Sequence, residues 1–260
     1  MKNKSLLIFF TLFLFSANLF AQWGENKDTT IAGVRFVTKF DTTNFETKLT
    51  VTKDNKKIHE SIFIDNIFDI SLEQFQPNGN KYILFNLYSG GAHCCSSLLI
   101  TEIKDNKLIT LDTGFYGNSG YVVEDINKDG IKEIMSGNDM FAYAFTNYSE
   151  TRFPLRVEKF ENGKIVDITG KFKDDLIMEI GYFEEDLNEL IKEGYECPEK
   201  DDEDTFNTSA GSMKTILAAI VADYYSLGQV ERGYELINKV YKCNDKDKYI
   251  KILKEDFKLK

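Results

Sequence analysis

The stretch Asp125-Ile126-Asn127-Lys128-Asp129-Gly130-Ile131-Lys132-Glu133 carries the densest potential chemistry in the chain. Oxygen-bearing side chains stand at its first, third and fifth positions, Gly130 permits a sharp turn, and Glu133 follows where it can close a ring. A hard cation gathers oxygens in this way, so calcium is the expected ion. Asp125, Asn127, Asp129 and Glu133 would bind it through their side chains and Ile131 through its carbonyl, with water completing the shell. An EF-hand does not fit, because Ser136 stands where that motif needs a bidentate glutamate. The flanks Tyr121-Val122-Val123 and Ile134-Met135 also read as strands, not helices. Asp, Asn and Gly make tight turns without any metal, and that alternative stands beside the calcium one.

A second unusual segment is Ser89-Gly90-Gly91-Ala92-His93-Cys94-Cys95-Ser96. The paired glycines allow backbone shapes closed to other residues, and three chemistries are open to the rest. Cys94 and Cys95 can form a vicinal disulfide, which an oxidising compartment favours. His93 and both thiolates can contribute to a zinc or copper site, with a fourth ligand unassigned. A cysteine nucleophile can pair with His93 or His59, although neighbours on a strand point to opposite faces. Cys197 and Cys243 lie far downstream in polar connecting sequence and are expected to pair with each other. No catalytic residue is assigned.

The Asp125 to Glu133 stretch resembles the calcium loop of integrin-type FG-GAP and VCBS-type repeats, where a short Asp-rich turn joins two strands. That resemblance implies structural calcium binding and blade-like sheets. Taken with Asp139-Met140-Phe141-Ala142-Tyr143-Ala144-Phe145, the Gly-Gly-Ala-His-Cys-Cys segment is similar to a group of uncharacterised exported bacterial proteins, over about Tyr82 to Thr169. Near the C-terminus, Ala218 to Tyr241 resembles a single tetratricopeptide-type helical pair. Ala219, Ala222 and Gly233 would let its helices approach closely, although one pair falls short of the stacked repeats a solenoid needs.

The elements that must position these residues fall into two parts. Strand-like runs separated by Asn, Asp and Gly clusters fill Val34 to Phe40, Phe45 to Thr52, Ile58 to Ile64, Tyr82 to Tyr88 and Ser97 to Ile103. They continue over Leu108 to Leu111, Tyr121 to Val123, Ile131 to Met135, Phe141 to Phe145, Leu155 to Phe160 and Ile165 to Ile168. Turns at Lys53-Asp54-Asn55-Lys56, Lys104-Asp105-Asn106-Lys107 and Glu161-Asn162-Gly163-Lys164 predict short hairpins. After Gly170 the apolar spacing becomes helical, with Leu176, Ile177, Ile180, Phe183, Leu187, Leu190 and Ile191 on one face. Further helices fit Met213 to Leu227, with Ser212 as N-cap and Gly228 as stop, then Val230 to Tyr241 and Lys246 to Phe257. The expected fold class is α+β: an N-terminal antiparallel all-β meander, propeller-blade-like or sandwich, over residues 22–172, then a small helical domain over residues 173–260.

The first residues suggest export. Lys2 and Lys4 precede an uncharged apolar run from Leu6 to Phe15, and small or polar residues lead to Ala21. That is the layout of a signal peptide over residues 1–21, and the run is shorter than the ~20 residues a membrane span requires. No stable membrane insertion is expected after its removal. Removing it takes away two lysines and no acid, lowering the formal charge from −10 to −12. So acidic a chain repels phosphate, which argues against nucleic acid and anionic lipid as partners. No Ser-His-Asp spacing, phosphate-binding glycine loop, Cys-x-x-Cys or His-Glu-x-x-His motif is present to support an enzyme. These features support an exported, periplasmic or extracellular, noncatalytic binding or structural protein with a structural calcium ion, acting on an unknown protein or glycan ligand. Two alternatives stay open: an extracytoplasmic hydrolase or redox/metal protein using His93, Cys94 and Cys95, and an envelope interaction module working through the helical tail.

Overall fold

Four tight turns organise the β part. Ala32-Gly33, Asp54-Asn55, Asp105-Asn106 and Asn162-Gly163 each place two successive residues at φ between 49° and 80°. Two-residue loops with this backbone match the twist of the strands they join. In the computed structural model, which describes residues 25–91, 94–200 and 204–260, they join β1 (Asp28–Ile31) to β2 (Val34–Asp41) and β3 (Glu46–Lys53) to β4 (Lys56–Phe63). They also join β7 (Ser96–Lys104) to β8 (Lys107–Gly117), and β11 (Leu155–Glu161) to β12 (Lys164–Asp167). The expected signal segment and its cleavage position lie outside the described residues.

Adding β5 (Asn66–Glu73), β6 (Tyr82–Tyr88), β9 (Tyr121–Glu124) and β10 (Glu133–Gly137) gives three consecutive four-stranded antiparallel meanders. The middle one, β5 to β8, is covered on both faces. Ile83, Phe85 and Leu87 pack with Val34, Phe36, Leu49 and Val51 of the first sheet. Leu84, Leu98 and Ile100 pack with Ile134 and Phe160 of the third. Two-sided burial explains why β6 reads as a nearly unbroken apolar run, whereas β3, covered on one face, alternates. The chain is therefore α+β as expected, with antiparallel sheets followed by α1 (Lys173–Glu193), α2 (Ser209–Ser226), α3 (Val230–Val240) and α4 (Lys246–Glu255).

Several local expectations need correction. Phe141 to Phe145 is not a strand. Asp139–Phe141 is a short 3-10 turn, opened by Asn138, whose Oδ1 accepts from the Met140 N–H at 3.1 Å. Phe141 and Phe145 belong to the helical core, with ring centroids 4.8 Å from Phe257 and 5.2 Å from Tyr249 respectively. The aromatic run that suggested a strand thus serves packing against helices, and the core crosses the expected boundary at residue 172. The N-cap of α2 is Thr208, not Ser212: the Thr208 hydroxyl accepts from the Gly211 N–H at 3.2 Å, while Ser212 lies in the first turns and bonds Glu150. Ile177 and Ile191 fall off the buried stripe of α1 and are 59% and 40% exposed. Buried on every side, α2 lets Gly233 of α3 come so close that an added Cβ would sit 2.9 Å from the Val221 Cα. That is the close approach expected from small residues there.

Helices and sheets meet at a pair of carboxyls. Glu179 of α1 accepts the Leu155 N–H of β11 at 2.8 Å. Beside it Asp223 of α2 is fully buried, and neither of its oxygens meets a donor from another group. Burial, then the adjacent Glu179, pushes the Asp223 carboxyl up to about 9. Burial also raises Glu179. Two carboxylates pressed together out of water cannot both be charged, so one proton is held between them. Glu179 already accepts a backbone N–H, so Asp223 is the protonated partner.

The sign of the linkage follows from this. The fold keeps a proton that the unfolded chain releases above about pH 4, so stability falls as pH rises from there toward the folded value of about 9. Asp223→Asn, neutral throughout, is expected to flatten the pH dependence of the unfolding free energy by up to about 1.4 kcal/mol per pH unit in that window. Urea titrations of both proteins from pH 5 to 9 measure it, and identical slopes would contradict the shared proton. The structure also joins Cys197, just past α1, to Cys243, before α4, with Cα atoms 5.1 Å apart. A link closing 46 residues contributes up to about 4 kcal/mol through chain entropy. Nonreducing peptide maps should recover the linked pair, and free thiols at both positions would refute it.

Candidate functional site

The loop from Asp125 to Lys132 forms the tip between β9 and β10. Lys128 at φ 61° and Gly130 at φ 88° turn it back on itself, and side-chain oxygens hold the turned amides. Asp125 accepts from the Asp129 N–H at 3.0 Å and the Gly130 N–H at 2.9 Å. Asn127 Oδ1 accepts from the Asp129 N–H at 3.0 Å, and Asp129 Oδ1 from the Ile131 N–H at 2.8 Å. Glu133, the first residue of β10, is 2% exposed, and its Oε2 accepts from the Ile126 N–H at 3.1 Å. Burial raises the Glu133 carboxyl, and the charges of Asp129 and Asp125 add to the effect. The loop therefore brings its acidic members toward one buried glutamate. Among the described residues, no group of three or more His, Cys, Asp or Glu side chains is arranged to hold a metal ion. The oxygens are engaged with loop amides, and each carboxylate oxygen keeps a second lone pair for another partner.

The loop is fastened to the middle sheet. The Lys132 N–H donates to the Phe75 carbonyl at 2.8 Å, and its ammonium pairs with Glu73 at 2.7 Å. Gly130 comes so near Pro77 that an added Cβ would lie 3.0 Å from its Cγ.

The cysteine segment joins β6 to β7. The Ser89 N–H donates to the Cys95 carbonyl at 3.0 Å, the Gly91 N–H to the Cys94 carbonyl at 2.9 Å, and the Cys95 N–H to the Ser89 hydroxyl at 2.5 Å. The Tyr88 hydroxyl bonds the Gly91 carbonyl. The sulfurs of Cys94 and Cys95 lie side by side, as the expected vicinal disulfide would require. His93 lies outside the described residues. His59 sits on β4 with its Nε2 3.1 Å from the Ser61 hydroxyl, well within a strand of the first sheet.

Between these two loops the structure shows a cleft that the sequence reading did not find. It occupies about 690 Å3 over β5 and β6, with Tyr121 and Val123 of β9 as its far wall. Glu73, near the acidic loop, lies at one end and Tyr88, near the cysteine segment, at the other. Tyr121 donates its hydroxyl to Asn86 Oδ1, and Asn86 Nδ2 donates to Asp69 at 3.3 Å. Burial, with Asp69 adding, holds the Tyr121 phenol well above its ordinary range. Phe68 is the extra residue of a β-bulge: pairing runs from Ile67 opposite Leu87 straight to Asp69 opposite Asn86. A signal for it was present in the spacing of Ile67 and Ile70: three apart, they both pack in the core shared with the first sheet, and a regular strand cannot put such a pair on one face.

Comparison with known proteins gives distant relatives. The chain is 25% identical over 202 residues to a probable thylakoid lumen protein of Synechocystis sp., covering 77% of this chain and 54% of that protein. It is 30% identical over 86 residues to an uncharacterized protein of Sinorhizobium fredii, covering 33% of this chain and 14% of that one. The chain thus spans about half the length of the first relative and a smaller part of the second. No family model and no solved structure matches it. Among the described residues, no helix is long and apolar enough to cross a membrane.

Proposed function

We propose that this chain is an exported, noncatalytic binding protein whose sheets are stiffened by one calcium ion in the loop from Asp125 to Glu133. The observation that carries the calcium assignment is the burial of Glu133 beneath an acidic loop tied to the middle sheet. Three carboxylates and one amide oxygen lie within a single turn, and without a cation their charges repel. Asp125, Asn127 and Asp129 would each turn a remaining lone pair to the ion, Glu133 would close the shell, and Ile131 would add its carbonyl. Calcium tolerates such an irregular oxygen set, whereas magnesium demands a tighter octahedron. Export is supported by the charged and apolar start and by the likeness to a thylakoid lumen protein.

The alternative of an interaction module working through the helices has one observation in its favour. Ile177, Met178 and Tyr182 of α1 are each more than half exposed.

Thermal unfolding of the mature protein tests the calcium assignment. A ligand that binds only the folded state stabilises it by about 2.7 kcal/mol at a hundredfold excess over Kd, so the melting temperature should rise with calcium after chelator treatment. Asp125→Ala and Asp129→Ala should abolish the rise, Lys128→Ala should keep it, and magnesium should substitute poorly. The same melting curve in chelator and in millimolar calcium would leave the loop as a turn only.

A further inference from the structure

The cleft over β5 and β6 has a composition that selects among ligands, and we infer that it binds a neutral carbohydrate chain, with Phe68 as the stacking platform. The inference rests on the binding-protein reading above and gives the chemical class of its ligand.

Phe68 is the first observation. The bulge takes it out of the strand pairing, and its ring is 60% exposed at the cleft. Bulges re-aim side chains at functional surfaces, and here the side chain is a large apolar plane held in water. The C–H faces of a sugar ring stack on such a plane. The second observation is the polar set beside it. Asp69 and Asn86 are oriented by bonds to each other and to Tyr121. A carboxylate accepts about four hydrogen bonds and a primary amide offers two N–H groups, so both keep capacity for hydroxyls. An aromatic plane beside oriented acceptors and donors suits a polyol ring.

Charge narrows the class further. The cleft presents the carboxylates of Asp69 and Glu73, and the nearby Lys132 ammonium is already paired with Glu73. Among the described residues no uncompensated cation lines the cleft, and with a chain of net charge −10 anionic polysaccharides are repelled. An added peptide strand is also disfavoured. β5 is the outer strand of its sheet, but the bulge at Phe68 interrupts the regular edge that strand addition copies.

Isothermal titration of the mature protein in calcium buffer tests this with soluble hexasaccharides of the β-1,4-glucan, xylan, mannan, chitin and β-1,3-glucan types. Saturable binding of at least one is expected, weakened tenfold or more in Phe68→Ala. Phe115→Ala, which removes a ring of similar exposure on β8 away from the cleft, should bind like the parent. Circular dichroism confirms that both variants fold. The inference is overturned if none of the sugars binds, if Phe68→Ala binds as well as the parent, or if polygalacturonate binds more tightly than every neutral sugar. Binding that persists in chelator would keep the carbohydrate site and remove only the role of calcium. Release of new reducing ends, with binding still lost in Phe68→Ala, would keep the site and overturn only the noncatalytic reading.

Discussion

Two-sided burial of the middle sheet is the constraint on which the rest of the β structure depends. A strand such as Tyr82-Ile83-Leu84-Phe85-Asn86-Leu87-Tyr88, with buried residues on successive positions, is stable only if both faces are covered. The first sheet covers one face through Phe36, Leu49 and Val51, and the third covers the other through Ile134 and Phe160. This stacking sets where β9 and β10 lie, and with them the acidic loop at their tip. Sheets two and three meet along one side, where the Ile165 N–H bonds Asp112 at 2.7 Å. On the other side β5 and β9 are both outer strands, and the cleft lies between them.

Buried carboxyls form the second theme, and an acidic chain must compensate each one. Asp245 is answered by Lys214, within a cluster that includes Tyr241 and Thr205. Glu158 is answered by Arg156 at 2.6 Å. The Glu179 and Asp223 pair is held to a single negative charge by a retained proton, and Glu179 accepts the Leu155 N–H. At Glu133 the neighbouring charges are again acidic, and its hydrogen bond to the Ile126 amide compensates it only in part. The calcium proposed for the loop would supply the missing positive charge. Removing a compensating partner from a buried charge costs several kcal/mol, more than most single contacts contribute.

The sequence made some of this legible and hid the rest for physical reasons. Asp54-Asn55, Asp105-Asn106 and Asn162-Gly163 announced their hairpins because those residues adopt left-handed backbone at little cost. The Ala32-Gly33 turn was missed because Asp28–Ile31 before it lacks an apolar pattern, its burial only alternating between exposed and half-buried. β5 was missed because its bulge breaks the period of two that identifies a strand. Phe141 to Phe145 has strand-like composition, but its partners are Tyr249 of α4 and Phe257 just past it, more than a hundred positions away, which local pattern cannot reveal. The acidic loop could be read as a donor set because its residues are contiguous. The cleft could not, since Phe68, Asn86 and Tyr121 come together only when the sheets stack.

Calorimetric titration of calcium into the chelator-treated mature chain, run in parallel on Glu133→Gln, addresses the compensation of Glu133 most directly. The account predicts one calcium per chain for the native sequence and a large loss of affinity when the buried carboxylate becomes an amide. No binding heat in the native chain, or equal affinity in Glu133→Gln, would contradict it.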